Sequence, residues 1–135
     1  MAAKEPRHPL EKRELLHREP PDTARIDGVA SALLDAGRFG EALDYVEVTR
    51  NAKLIERIEA ESVKRGSAFL LQAVERLRGT KADTARWTEV ATSALANERY
   101  VDAVRAYASL GDEARAEEIR VRHCPDYEPF KPLGK

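Results

Sequence analysis

The sequence predicts an all-α protein: a short right-handed α-solenoid or helical bundle of seven to eight helices, containing two related three-helix units. Apolar residues recur every three to four positions through most of 22–122, the period of an amphipathic helix. Capping residues and glycines fall at the ends of those stretches, where helix starts and stops are expected. Residues 22–58 return at 83–119 with a constant offset of 61 and no gap, eleven of 37 positions being identical. Self-similarity at a fixed period marks a repeat architecture.

The first 21 residues form a charged, proline-rich arm. Pro9 suits a first helical turn, and 10–16 can continue a short helix whose apolar residues are Leu10, Leu15 and Leu16. So short a helix is marginal alone and needs a surface to dock on. Pro20-Pro21 ends it, and the repeat domain, 22–122, follows. Asp22 is the expected N-cap of a helix with Ile26, Val29, Ala30, Leu33 and Leu34 on one face, closed by Gly37 in a left-handed conformation. Phe39, Ala42, Leu43 and Val46 form the stripe of the next helix, and so short a break forces an antiparallel hairpin. Asn51 caps a third helix carrying Leu54, Ile55 and Ile58. Lys64-Arg65-Gly66-Ser67 reads as a stop and restart before Phe69, Leu70, Ala73, Val74 and Leu77, with a continuous helix from 52 to 78 kinked at Gly66 as the alternative.

The second unit opens with Asp83-Thr84-Ala85-Arg86, matching Asp22-Thr23-Ala24-Arg25. Within it, Arg99-Tyr100-x-Asp102-Ala103-Val104 answers to Arg38-Phe39-x-Glu41-Ala42-Leu43, and the cap Asp112 answers to Asn51. The tail, 123–135, holds three prolines and no helical period, so an extended course is expected. Tyr127 and Phe130 there are candidates to pack on the body or to touch a partner.

Composition excludes several classes of function. The chain has 135 residues, enough for one domain. Its 23 Lys+Arg and 24 Asp+Glu nearly cancel, which disfavours an electrostatically driven nucleic-acid or membrane-surface protein. One cysteine builds no internal disulfide, pointing to a reducing compartment. With no apolar run of membrane-spanning length and no apolar signal core at the start, a cytoplasmic location is the expectation. Only 29 residues are Leu, Ile, Val or Phe, while 21 are Ala, so the core must be thin and made by closely spaced helices.

The hairpins resemble those of tetratricopeptide-repeat proteins. Trp87, Val90-Ala91, Tyr100, Ala103 and Tyr107 sit where that family places its large-small-large packing residues. Ile26, Val29-Ala30, Gly37, Phe39, Ala42 and Val46 do the same in the first hairpin. The match covers 22–50 and 83–111, and its period is 61, not the family's 34. The resemblance implies peptide recognition along the first helix of each hairpin. The family's Lys and Asn carboxylate clamp falls on Asp27, Gly28 and Ser31, and on Thr88, Glu89 and Thr92, so that clamp is absent.

No converging nucleophile, base and orienting group can be picked out, so no enzyme is expected. No cofactor or metal is expected either: His8, His17 and His123 lie in the terminal segments, and His123-Cys124 alone is too small a zinc set. The expectation is a non-catalytic protein–protein interaction module, an adaptor, assembly factor or subunit holding another protein or peptide. Its groove would be formed by 25–35 and 86–96, with Arg25, Asp27, Ser31, Asp35, Arg86, Thr88 and Thr92 as contact residues. Arg25 and Arg86 read equally as ligand contacts or as caps of a neighbouring helix. Two alternatives stand beside it: a self-associating structural component with an Ala-rich oligomer face, or a weak RNA or anionic-ligand binder using Arg76, Arg78, Lys81 and Arg86. The mixed strip of Arg50, Lys53, Arg57, Lys64 and Arg65 with Glu47, Glu56, Glu59 and Glu61 reads as a solvated face.

Overall fold

A computed structural model describes residues 5–6 and 8–128. Among them are eight α-helices and no strand: α1 Pro9–His17, α2 Thr23–Asp35, α3 Phe39–Thr49, α4 Ala52–Arg65, α5 Ala68–Arg78, α6 Thr84–Ala96, α7 Tyr100–Ser109 and α8 Glu113–His123. The all-α expectation stands, at the upper end of the predicted helix number.

Local chemistry sets these boundaries. Asp22, Asn51, Ser67 and Asp112 each accept a backbone N–H from the first turn of the helix they precede, satisfying donors that a helix start leaves unpaired. Asp83, the sequence twin of Asp22, starts α6 without a side-chain cap bond. The stop-and-restart reading at Gly66 is correct and the continuous helix is not. Gly66 is left-handed at φ +67, its N–H bonds to Ser62 O and Val63 O, and the Ser67 N–H reaches Ser62 O at 2.9 Å. That pair of bonds closes α4 in a Schellman-type turn.

Packing follows the chain. α2 pairs with α3, α4 with α5, and α6 with α7, while α8 lies on α7. Helices of the same order also touch, α2 to α4 to α6 and α3 to α5 to α7, making two layers. The residues around 67–78, read from the sequence as the helix that restarts after Gly66, thus form the second arm of a middle hairpin. Helix starts in the two halves keep the offset of 61, with α2, α3 and α4 answering to α6, α7 and α8.

Ala30, Ala42, Ala91 and Ala103 are fully buried. With no side chain beyond Cβ they allow the close approach inside the α2–α3 and α6–α7 pairs. Around them, Ile26, Val29, Val46, Ile58, Leu71 and Val90 are almost wholly shielded, each such side chain contributing about 1.5–3 kcal/mol. These residues belong to one large cluster running from Leu15 to Ala106. A second, smaller cluster of Ala94, Ala103, Val104, Ala116 and Ile119 holds α8.

The arm finds its docking surface on the body itself. Leu15 of α1 is buried in the main cluster, Lys12 pairs with Asp44 of α3 at 2.6 Å, and its ammonium lies 5.5 Å from the Tyr45 ring. Arg38, at the start of α3, clasps the Glu5 carboxylate at 2.7 and 2.8 Å and also pairs with Glu41.

Candidate functional site

The expected groove begins on α2, where Asp27, Ser31 and Asp35 are spaced by four and so share a face. The structure turns that face toward the third helix. The Thr49 hydroxyl and the Asn51 amide donate to the two Asp27 oxygens at 2.6 and 2.9 Å. From α4, Arg57 donates to Ser31 Oγ at 3.2 Å and pairs with Asp35. Asn51 therefore works twice, capping α4 with its carbonyl oxygen and gripping α2 with its amide. Asp27, Ser31 and Asp35 thus fasten α2 to the end of α3 and to α4.

On α6 the corresponding positions are differently occupied. Thr88 and Thr92 are exposed, and their hydroxyls donate back to Thr84 O and Thr88 O at 2.8 and 2.9 Å. Arg86 pairs with Glu89 at 3.2 Å and lies 3.9 Å from Glu59 of α4. Arg25 is exposed beside α1, where it borders an open cleft with Leu10, Arg13 and Arg18. The two halves of the expected groove thus do not adjoin, because α4 contacts both α2 and α6 and lies between them. Sequence reading assigned the Arg57–Glu59 strip to solvent and so missed this middle wall.

Between α4 and α6 lies an open cleft of about 520 Å³ lined by Glu56, Glu59, Ala60, Val63, Arg78 and Arg86. Its charges are matched: Glu59, largely shielded, accepts from Arg78 at 2.8 Å and faces Arg86. Two of the four cations expected to attract an anionic ligand are therefore engaged by carboxylates, Arg78 by Glu59 and Arg86 by Glu89 and Glu59. Arg76 and Lys81 are exposed.

Trp87 is buried, and its indole N–H donates to Glu75 Oε2 at 3.1 Å; the same oxygen accepts the Ala82 N–H at 2.8 Å. One carboxylate oxygen thereby ties α5, the connecting loop and α6 together. His123 stacks flat on Tyr100 at 3.9 Å, and the adjoining Cys124 packs against the smaller cluster, where burial raises its thiol pKa. Among the described residues no three His, Cys, Asp or Glu side chains are grouped to hold a metal ion.

Tyr127 is half-buried against α8's cluster. Arg120 fixes the chain there, donating to Pro125 O and Tyr127 O at 3.2 and 3.4 Å while gripping Glu117 at 2.6 and 2.9 Å. That grip holds the Glu117 carboxyl below its ordinary pKa. Phe130, the other tail candidate, lies outside the described residues. Among the described residues, no helix is long and apolar enough to cross a membrane. In comparison with known proteins, no family model, curated protein or solved structure matches the chain.

Proposed function

We propose that the chain is a non-catalytic protein–protein interaction module, an adaptor, assembly factor or subunit of a cytoplasmic complex, whose hairpins bind in the manner of tetratricopeptide repeats. The observation that carries this reading is the side-by-side order of α2, α4 and α6. It produces a surface to which successive hairpins each contribute one helix, suited to an extended segment of another protein. Thr88 and Thr92 of α6 are exposed, with hydroxyls satisfied inside their own helix. A partner laid across them displaces no existing link between helices, whereas on α2 it would have to break the bonds of Asp27 and Asp35. Pairing of Arg78 and Arg86 with Glu59 weighs against an RNA or anionic-ligand reading.

The test compares proximity labelling by the full chain and by a Thr88→Arg, Thr92→Arg double variant, with circular dichroism melting to show that both are folded. Loss of specific partners in the double variant supports the proposal. An identical partner set for the two chains, or none for either, overturns it.

A further inference from the structure

The offset of 61 also relates α1 to the middle hairpin. α1, Pro9–His17, answers to 70–78 within α5, and its Leu10, Glu14 and Leu16 are identical to Leu71, Glu75 and Leu77. α1 thus precedes α2 as α5 precedes α6. In the second case a third helix completes the group. α4 packs on both α5 and α6, and its Glu59 accepts from Arg78 of α5 at 2.8 Å and lies 3.9 Å from Arg86 of α6. Among the described residues no helix packs broadly on α1. Beside it is an open cleft of about 840 Å³. His17 and Arg25, the counterparts of Arg78 and Arg86, both line that cleft, together with Arg13 and Arg18. Among the described residues Arg13, Arg18 and Arg25 form no ion pair. Leu10 lines the cleft and is 64% exposed, whereas its counterpart Leu71 is fully buried. The other side of α1 is the docked one, with Leu15 buried and Lys12 paired to α3.

We propose that the cleft between α1 and the start of α2 seats an amphipathic helix of another protein, with the chemistry that α4 shows on α5 and α6. Its aliphatic face lies on Leu10, and a carboxylate in the place of Glu59 is received by Arg25, with Arg13 and Arg18 close by. Three arginines without acid partners select an acidic occupant, and the exposed leucine supplies the apolar anchor of a helix in a groove. Glu11 and Glu14 also line the cleft. Glu14 has its counterpart in Glu75, which lines a cleft with Glu59 and Arg78, so an acid at that position is compatible with an incoming carboxylate. A second copy of the chain fits less well. Its α8 is the counterpart of α4, yet carries Arg120 where α4 has Glu59, and would set like charge against Arg25. The seat lies on α1 and α2, so it stands or falls independently of the Thr88 and Thr92 face of α6.

The experiment is fluorescence anisotropy of a labelled, helix-stabilised peptide with the α4 sequence, 51–66, titrated with the full chain. Expected is saturable binding, weakened about fivefold by Arg25→Glu in the chain or by Glu59→Lys in the peptide, the scale of an exposed ion pair turned into a repulsion. Combining the two changes should restore it, and Leu10→Asp should remove it. Arg25 is exposed in the first turn of α2, where an acid is favourable, and Leu10 is exposed, so both variants keep the fold; circular dichroism melting checks this. Absence of saturable binding, equal affinity for the Arg25→Glu chain, or failure of the combined changes to restore binding overturns the proposal. So does light scattering that shows the chain alone to be a dimer dispersed by Leu10→Asp, since the seat then belongs to a second copy.

Discussion

Replacing Gly66 by alanine separates two costs that usually arrive together. At φ +67 any residue with a Cβ is held in the left-handed region, at about 1–2 kcal/mol. The second cost comes from α6. A Cβ on Gly66 would lie 2.4 Å from the Ala94 nitrogen, 2.6 Å from the Ala94 Cα and 2.8 Å from the Ser93 carbonyl carbon. These are backbone atoms inside a helix, so no side-chain rotation relieves the clash. The end of α4 must move away from α6 by about 1 Å to restore a contact near 3.5 Å, and such overpacking costs about 1–3 kcal/mol. The stiffer unfolded chain returns about 0.4–1 kcal/mol. The net loss is about 2–4 kcal/mol, a large part of the 5–15 kcal/mol typical of a domain.

Gly79→Ala is the matched control, with φ +72 and nothing within 4 Å of the added carbon. It should cost about 1 kcal/mol, the backbone term alone. In urea unfolding, with a slope of about 2 kcal/mol/M, Gly66→Ala lowers the midpoint by about 1–2 M and Gly79→Ala by about 0.5 M. If Gly66→Ala costs no more than Gly79→Ala, the close approach of α4 to α6 is not a feature of the protein and the reasoning fails.

The other predictions concern the same backbone economy and the buried phenol under α1. Glu98 occupies the left-handed position, φ +58, that Gly37 fills at φ +75 in the first half. Glu98→Gly should stabilise by about 0.5–1 kcal/mol, the relief of left-handed strain less glycine's extra unfolded entropy; a lower melting temperature would refute it. Burial lifts the Tyr45 phenol above its ordinary pKa, with Lys12 opposing. Because the folded value is the higher one, the stability this group contributes is complete below the unfolded value near 10 and is lost as pH rises through the folded value. The tyrosinate absorbance missing from Tyr45→Phe should therefore titrate above the ordinary tyrosine range; titration within that range contradicts the buried placement.

Local chemistry was well written in the sequence. Asp22, Asn51, Ser67 and Asp112 cap the helices their positions suggested, and Gly66 breaks the chain because its flanking residues supply both a stop and a start. These signals act within one turn of helix, so they can be read without knowing the fold. What escaped acts across the structure. Asp27 looked like a free groove carboxylate, yet its partners stand more than twenty positions away, at Thr49 and Asn51. Leu15 read as an apolar residue of a marginal helix in need of a docking surface, and its packing in the main cluster, with Lys12 paired to α3, supplies that surface from within the chain. The middle hairpin was hidden for another reason: α5 buries Leu70, Leu71, Val74 and Leu77, whereas the positions 61 further on from the first three are Lys131, Pro132 and Lys135, so likeness to them does not reveal it.

The division of the core into two unequal clusters has a consequence for how the molecule comes apart. Helices α4 and α5 are anchored in the larger cluster, whereas α8 rests on five buried residues, three of them alanines. In a linear stack each member is retained by its immediate neighbours, so an end member with little to lose detaches on its own. Amide protons of α8 should then exchange through fraying of that end, long before those of α4 and α5, which must wait for the whole chain to unfold. The protein behaves like a zip with one soft end, and Tyr127, packed on the smaller cluster, sits at the slider.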